Sequence, residues 1–385
     1  MHKRFHIYII TFILLTLFIL SLFQNYHNTE INEYAYVMAI GLDVGTNHPL
    51  KLTLQIANPS VTAANVASQG GSSDDNSVSI IDTVECSSIS SGLTWFNSYL
   101  SKEVNLSHCK ALVFSEKLAS LGISEYIYTL MNNLQFRKSA NIIVAQTTSE
   151  AFLKNYKPAL EKLSANYYEN IPTTSKYTGY TQNITVSDFF NDYLDTFQNP
   201  IAILGSVDNQ ENIGIALFDK DKFIGKLGIS DTICHMLVSK KLVNTRLYIP
   251  NVFDDDKSMD FYIDKVKKST IKVDIVNGTP LIKLDLDIEG ELLSMQSNVD
   301  ILDKATVKNI ENYINRYMKY SLLNYLYKTC KEYKTDIDGF GKYAVKYFSN
   351  WQDWENYNWL EQYSSSFFDV NVNFNLRSSQ LILKT

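Results

Sequence analysis

An unbroken apolar run, Ile7 to Phe23, follows a short basic head of His2, Lys3 and Arg4 and separates a segment suited to lipid from a longer remainder suited to water. As a helix this run rises roughly 26 Å, close to the ~30 Å hydrocarbon core of a bilayer. One N-terminal transmembrane helix is therefore expected, with Lys3 and Arg4 holding the N-terminus in the cytoplasm and the rest of the chain on the other side. A cleaved secretory signal carries an apolar core of about 7–15 residues and a small-x-small cleavage site. Here the core is longer, and Ser21-Leu22-Phe23-Gln24-Asn25-Tyr26 has no such site. Retention is favoured; the competing reading is a signal peptide cut at an atypical position.

At 385 residues, two or three domains are expected beyond the anchor. A 45% apolar and 20% charged composition excludes a disordered chain, and abundant Tyr and Phe suit strands. Net charge is −6, and the part beyond Lys3 and Arg4 is more acidic still. Such a surface is repelled by anionic lipid and nucleic acid, so the anchor must do the tethering and no nucleic acid is expected as a partner.

Three patterns follow the linker. Residues 34–43 and 50–57 read as a hairpin, the second strand placing Leu52, Leu54 and Ile56 on one face and Lys51, Thr53 and Gln55 on the other. Residues 58–77, rich in Ser, Gly, Ala and Asn, lack any packing period and read as a flexible excursion. Strands at 78–86, 108–115 and 140–146 alternate with helices at 89–100 and 123–132, which implies a mixed sheet with helices packed on it. Further helices are expected at 149–156, 158–168 and 187–197, the last capped by Thr185. From Pro200 a strand-rich unit is expected, with Asn277-Gly278 as its clearest hairpin turn. A long helix between 300 and 331, a Trp-containing segment and an alternating strand at 367–376, paired with 380–383, close the chain. The expected organisation is α+β: an anchor at 1–24, then domains at 25–199, 200–295 and 296–385.

The search for chemistry finds little. Gly339-Phe340-Gly341-Lys342 is a fragment of a phosphate loop, but it follows a helix and reads as a helix stop and restart. Asp254-Asp255-Asp256 lacks the alternate spacing of a calcium loop and reads as solvated. Trp351, Trp354 and Trp359 could stack a ligand, but they read first as core. Cys86, Cys109, Cys234 and Cys330 show neither metal spacing nor a pairing that sequence can choose, and they read as small buried groups. His108 with Cys109, and His235 with Cys234, would suit a thiol nucleophile only if folding brought a thiol to an imidazole. No catalytic, cofactor-binding or metal residues are assigned.

Several stretches in order carry a family resemblance. They are Glu30-Ile31-Asn32, Val37-Met38-Ala39-Ile40-Gly41-Leu42-Asp43, and Leu52 onward to Asn58-Pro59-Ser60; then Pro200, Gly214 to Phe218, Gly225 and Glu289-Gly290-Glu291; and finally Asp336-Ile337, Gly339-Phe340-Gly341 and the Trp segment. Together they resemble the Ger(x)C family, the C subunits of spore nutrient germinant receptors. The resemblance implies a three-domain α+β fold and a non-catalytic subunit without cofactors, on the outer face of the spore inner membrane, acting with A and B subunits in nutrient-triggered germination. Members usually carry a lipidated cysteine, and Asn25 stands where it is expected. Without a thiol that lipidation is chemically impossible, so the apolar helix must replace it. A membrane-anchored extracellular thiol hydrolase and a domain that binds nutrient directly are the alternative readings.

Overall fold

A computed structural model describes residues 2–22, 33–58, 79–155, 164–206, 212–295 and 303–377. The apolar run forms α1 (His2–Leu22), a helix of 21 residues. Its described apolar side chains, within residues 9–19, face outward, from 42% exposed at Ile9 to 67% at Phe12. Among residues with described side chains, which in α1 are His6 and residues 9–19, no helix is long and apolar enough to cross a membrane. Asn25 and the excursion at 59–78 lie outside the described residues.

The first sheet is built outward from β1 (Tyr34–Val44), whose central residues are buried on both faces. On one side it pairs antiparallel with β2 (Leu50–Ala57), the expected hairpin, and β2 with β3 (Ser79–Cys86). On the other it pairs parallel with β5 (Ala111–Ser115), which continues in parallel to β6 (Asn141–Ala145) and β7 (Ile201–Gly205). A short β4 (Glu103–Asn105) runs beside the start of β1. Antiparallel β8 (Asn212–Asp219) and β9 (Lys222–Leu227) complete the sheet. The apolar runs of the parallel centre are what a sheet covered on both faces requires. Those covers include α2 (Ile89–Tyr99), α3 (Glu116–Leu121), α4 (Ser124–Asn132), α5 (Ser149–Asn155), α6 (Ser164–Thr178) and α7 (Val186–Leu194). Thr185 does cap α7, in a reciprocal box with Asp188. The helix expected at 158–168 is described only from Ser164, and it runs on to Thr178.

The polar face of β2 is not solvated as its alternation suggests: Thr53 and Gln55 are buried. Thr53 bonds Thr83 across the strands at 3.0 Å, and Gln55 donates to Ser79. The N-terminus of α5 docks on this face. Asp43 accepts the Ser149 N–H at 2.8 Å, the Ser149 hydroxyl at 2.7 Å and the Glu150 N–H at 3.1 Å. Gly41, two residues back on the same face, gives Ser149 room: a Cβ there would lie 2.6 Å from its Oγ. The Gly41-Leu42-Asp43 stretch is thus a helix-docking device. Asp43→Ala should lower stability by about 1–2 kcal/mol through the lost cap; an unchanged urea midpoint would show that α5 is held otherwise.

The chain leaves the first sheet through α8 (Ile229–Val238) and enters a second, ordered β10 (Val243–Asn251), β11 (Asp254–Val276), β12 (Thr279–Met295) and β13 (Phe367–Arg377). Within the strand-rich unit, β11 is one long strand with bulges. Asn277-Gly278 makes the expected tight turn, with φ of +51° and +84°. The long helix, α9 (Lys304–Tyr327), buries Ile310, Ile314, Met318 and Leu322 as its periodicity predicts and packs on β13. That last strand lies parallel to β12, and residues 380–383, its expected partner, fall outside the described residues. A partition at 25–199, 200–295 and 296–385 would therefore cut both sheets, because β7–β9 extend the first and β13 completes the second.

Candidate functional site

The thiols and imidazoles do not meet. Cys109 is buried in the turn before β5, since that strand begins at Ala111 and not at His108. Its Sγ–H donates to the Ala111 carbonyl at 3.3 Å, and burial pushes the thiol up to about 12. His108 points outward, beside Ser107 and edge-on to Tyr36. Cys234 lies in buried α8, and burial raises its thiol pKa. Cys86 and Cys330 are likewise buried, free and raised. A nucleophilic cysteine needs the opposite shift. With no thiol bonded to an imidazole among the described residues, the arrangement for thiol hydrolysis is missing.

The glycine loop is also committed. Asp336 is fully buried and collects the N–H groups of Asp338, Gly339 and Gly341 at 3.1, 2.9 and 3.1 Å, together with Trp359 Nε1–H at 2.9 Å. These amides are what a phosphate would need, so the loop turns on its own carboxylate and not on an anion. Burial, followed by the charge of Asp338, pushes Asp336 up to about 7. Of the tryptophans, Trp354 and Trp359 are buried and stacked 6.1 Å apart, whereas Trp351 is 52% exposed. The side chains of Asp254 to Asp256 lie outside the described residues, and their backbone opens β11. Among the described residues no group of His, Cys, Asp or Glu suits a metal ion.

What the fold does assemble is a polar junction between the two sheets. His235, on buried α8, faces Asp338 at 2.8 Å and Tyr325 OH at 3.2 Å through Nδ1, and Gln182 Oε1 at 2.8 Å through Nε2. Tyr325, from α9, donates to the other Asp338 oxygen at 2.8 Å. Four separate segments are thus joined through one imidazole. Next to this network opens a cavity of about 480 Å³, reached by α7, the end of α8, β11 and the 337–343 loop. Asp188 and Asp192 line it from α7, one turn apart and so on one helix face. Lys240, Lys241 and Lys342 line it from the other segments. Burial pushes Asp192 up to about 6 and lowers Lys241. Such a site can hold a small charged molecule.

His235, adjacent to Cys234 in sequence, finds its partners 53 to 103 positions away in the chain. Asp192, Lys241, Tyr325, Asp336 and Asp338 were not found as site residues. The one local signal was Asp336-Ile337-Asp338-Gly339, two acids at a glycine turn inside an apolar context.

Comparison with known proteins gives the following. Residues 27–206 match the family described as spore germination protein N-terminal domain, and residues 213–380 match spore germination B3/GerAC like, C-terminal. Spore germination protein KC of Bacillus subtilis (strain 168) is 22% identical over 87% of this chain and 86% of its own. GerQC, a spore germination protein of Bacillus cereus, is 22% identical over 72% of this chain and 76% of its own. The crystal structure of the GerBC protein superposes with a TM-score of 0.52 at 18% identity, covering 88% of this chain and 96% of that one. That likeness establishes the shared fold.

Proposed function

This chain belongs to the Ger(x)C family of spore germination proteins, and we propose that it serves as the C subunit of a nutrient germinant receptor, working without catalysis alongside A and B subunits. The observation that carries this reading is the match of both halves, in order, to the spore germination families. The buried, raised thiols agree with a role exerted through surfaces and not through covalent chemistry. We place the subunit at the spore inner membrane with residues beyond α1 on its outer face. Support comes from the 21-residue length of α1, from its described apolar side chains, which face outward, and from Thr16, whose hydroxyl is satisfied within the helix by the Phe12 and Ile13 carbonyls at 2.9 Å. With Asn25 in place of a lipidated cysteine, this helix supplies the attachment, and far more firmly than one acyl chain would.

Disrupting the gene should abolish or strongly slow nutrient-triggered germination, with recovery on complementation. Unchanged germination in a strain without a paralogue would overturn the reading. Co-purification from spore membranes should recover the A and B subunits together with a chain whose intact mass begins near Met1; a mass starting near Asn25 would contradict retention of the helix.

A further inference from the structure

The junction cavity carries charges of both signs. Its acidic side is the α7 face with Asp192. Its basic side includes Lys240 and Lys241, just beyond the end of α8. Among the described residues neither lysine has a carboxylate within 4 Å, although the charge of Asp192 acts on Lys241. Asp192 is held through one oxygen by Gln198, and no partner occupies the other among the described residues. A third feature is independent of these charges. Asn183, which also lines the cavity, has its side-chain oxygen buried without a hydrogen-bond donor. An orphaned buried acceptor costs about 1–3 kcal/mol, so a donor arriving there is favoured. Ile184, Ile201, Val238 and Ile337 supply an aliphatic part of the lining, among polar side chains such as Asn191, Ser239 and Ser269.

These observations specify a ligand by what each part lacks. The lysines lack an anion, Asp192 and Asn183 lack a cationic N–H donor, and the aliphatic part of the lining suits an apolar side group. At about 480 Å³ the space lies within the ~300–1,000 Å³ range of small-molecule sites. We propose that the cavity between the two sheets binds a small zwitterion with an aliphatic side chain, an α-amino acid, its carboxylate at Lys240 and Lys241 and its ammonium at Asp192 and Asn183. Because the site spans α7, α8, β11 and the 337–343 loop, an occupant would tie the two sheets together. His235 and Asp338 beneath it are committed to each other and hold the floor.

The proposal is independent of the receptor assignment and is tested separately, by calorimetric titration of the purified full chain in detergent micelles. L-leucine is the probe. 4-Methylpentanoate, which lacks the ammonium, and isoamylamine, which lacks the carboxylate, are the controls. L-leucine should bind saturably with Kd of about 1 mM or tighter, and each control at least about tenfold more weakly, as losing one charged partner predicts. Lys241→Gln and Asp192→Asn should each weaken L-leucine by a similar factor, with thermal midpoints confirming that the variants are folded. Absence of saturable binding up to about 20 mM, well above that limit, would overturn the proposal. So would equal binding of isoamylamine, or unchanged affinity in both variants. Should a variant fail to fold, the three-compound series on the natural chain still decides. A negative result here alongside lost germination on gene disruption would remove the ligand site and leave the receptor role standing.

Discussion

Asp336→Ala should lower the unfolding free energy by about 3–5 kcal/mol, the cost of stranding buried donors around a removed charge. The carboxylate accepts three loop amides and the Trp359 indole in a region where Phe340 and Trp359 are also inaccessible. Without it the N–H groups of Asp338, Gly339 and Gly341 and the Trp359 indole lose the acceptor they share, in a turn packed closely enough that a Cβ at Gly341 would lie 2.5 Å from the Phe197 carbonyl. A urea midpoint within error of the natural chain would show that the turn is held by its glycines alone. The same residue gives a pH signature. Its folded value, about 7, is raised above the ordinary 3.8, so the folded state holds the proton more tightly than the unfolded state. Its contribution is then fully present below about pH 4 and is lost as pH rises through about 7. The stability gap between natural chain and variant should narrow from pH 5 to pH 8. A constant gap would mean that the four donors keep the group ionised throughout.

On the proposed attachment through α1, Leu14→Arg combined with Phe18→Arg should release the chain from the membrane fraction or prevent its insertion. The two positions are one turn apart and fully within α1, where both side chains now face outward. Arginine near the centre of a spanning helix costs about 2.5–3.5 kcal/mol, so the pair costs roughly 5–7 kcal/mol. Alkaline carbonate extraction of membranes reads the outcome directly. Retention equal to the natural chain would show that α1 is not the attachment. The urea midpoint of the region beyond α1 should stay the same, because the described side chains of α1 take no part in the buried core.

Much of the local structure was legible because burial imposes a period. The stripe of α9, the Thr185 cap and the Asn277-Gly278 turn each follow from residues within one or two turns of one another. The family resemblance was legible for a related reason. Gly41 and Asp43, part of its opening stretch, form one contact with Ser149 and are therefore tied to a fixed spacing. Site residues were less visible. Asp192 and Lys241 look like ordinary surface charges on a helix and in a loop, and the cavity that makes them face each other exists only between elements. Cys109 falls in the strand expected at 108–115 but is a turn residue, because β5 starts three positions later, at Ala111.

By itself the sequence determined many of the elements, the apolar N-terminal run, the family and the absence of a cysteine between Met1 and Cys86, since each depends on covalent order or on short-range periodicity. Only the tertiary structure decided that β7–β9 finish the first sheet, that β13 crosses back to lie parallel to β12, and that His235 answers to Asp338 and not to its neighbouring cysteine. Strand partners and buried hydrogen bonds are chosen by the mutual exclusion of water across distant segments, and no local pattern records which segment supplies the other half.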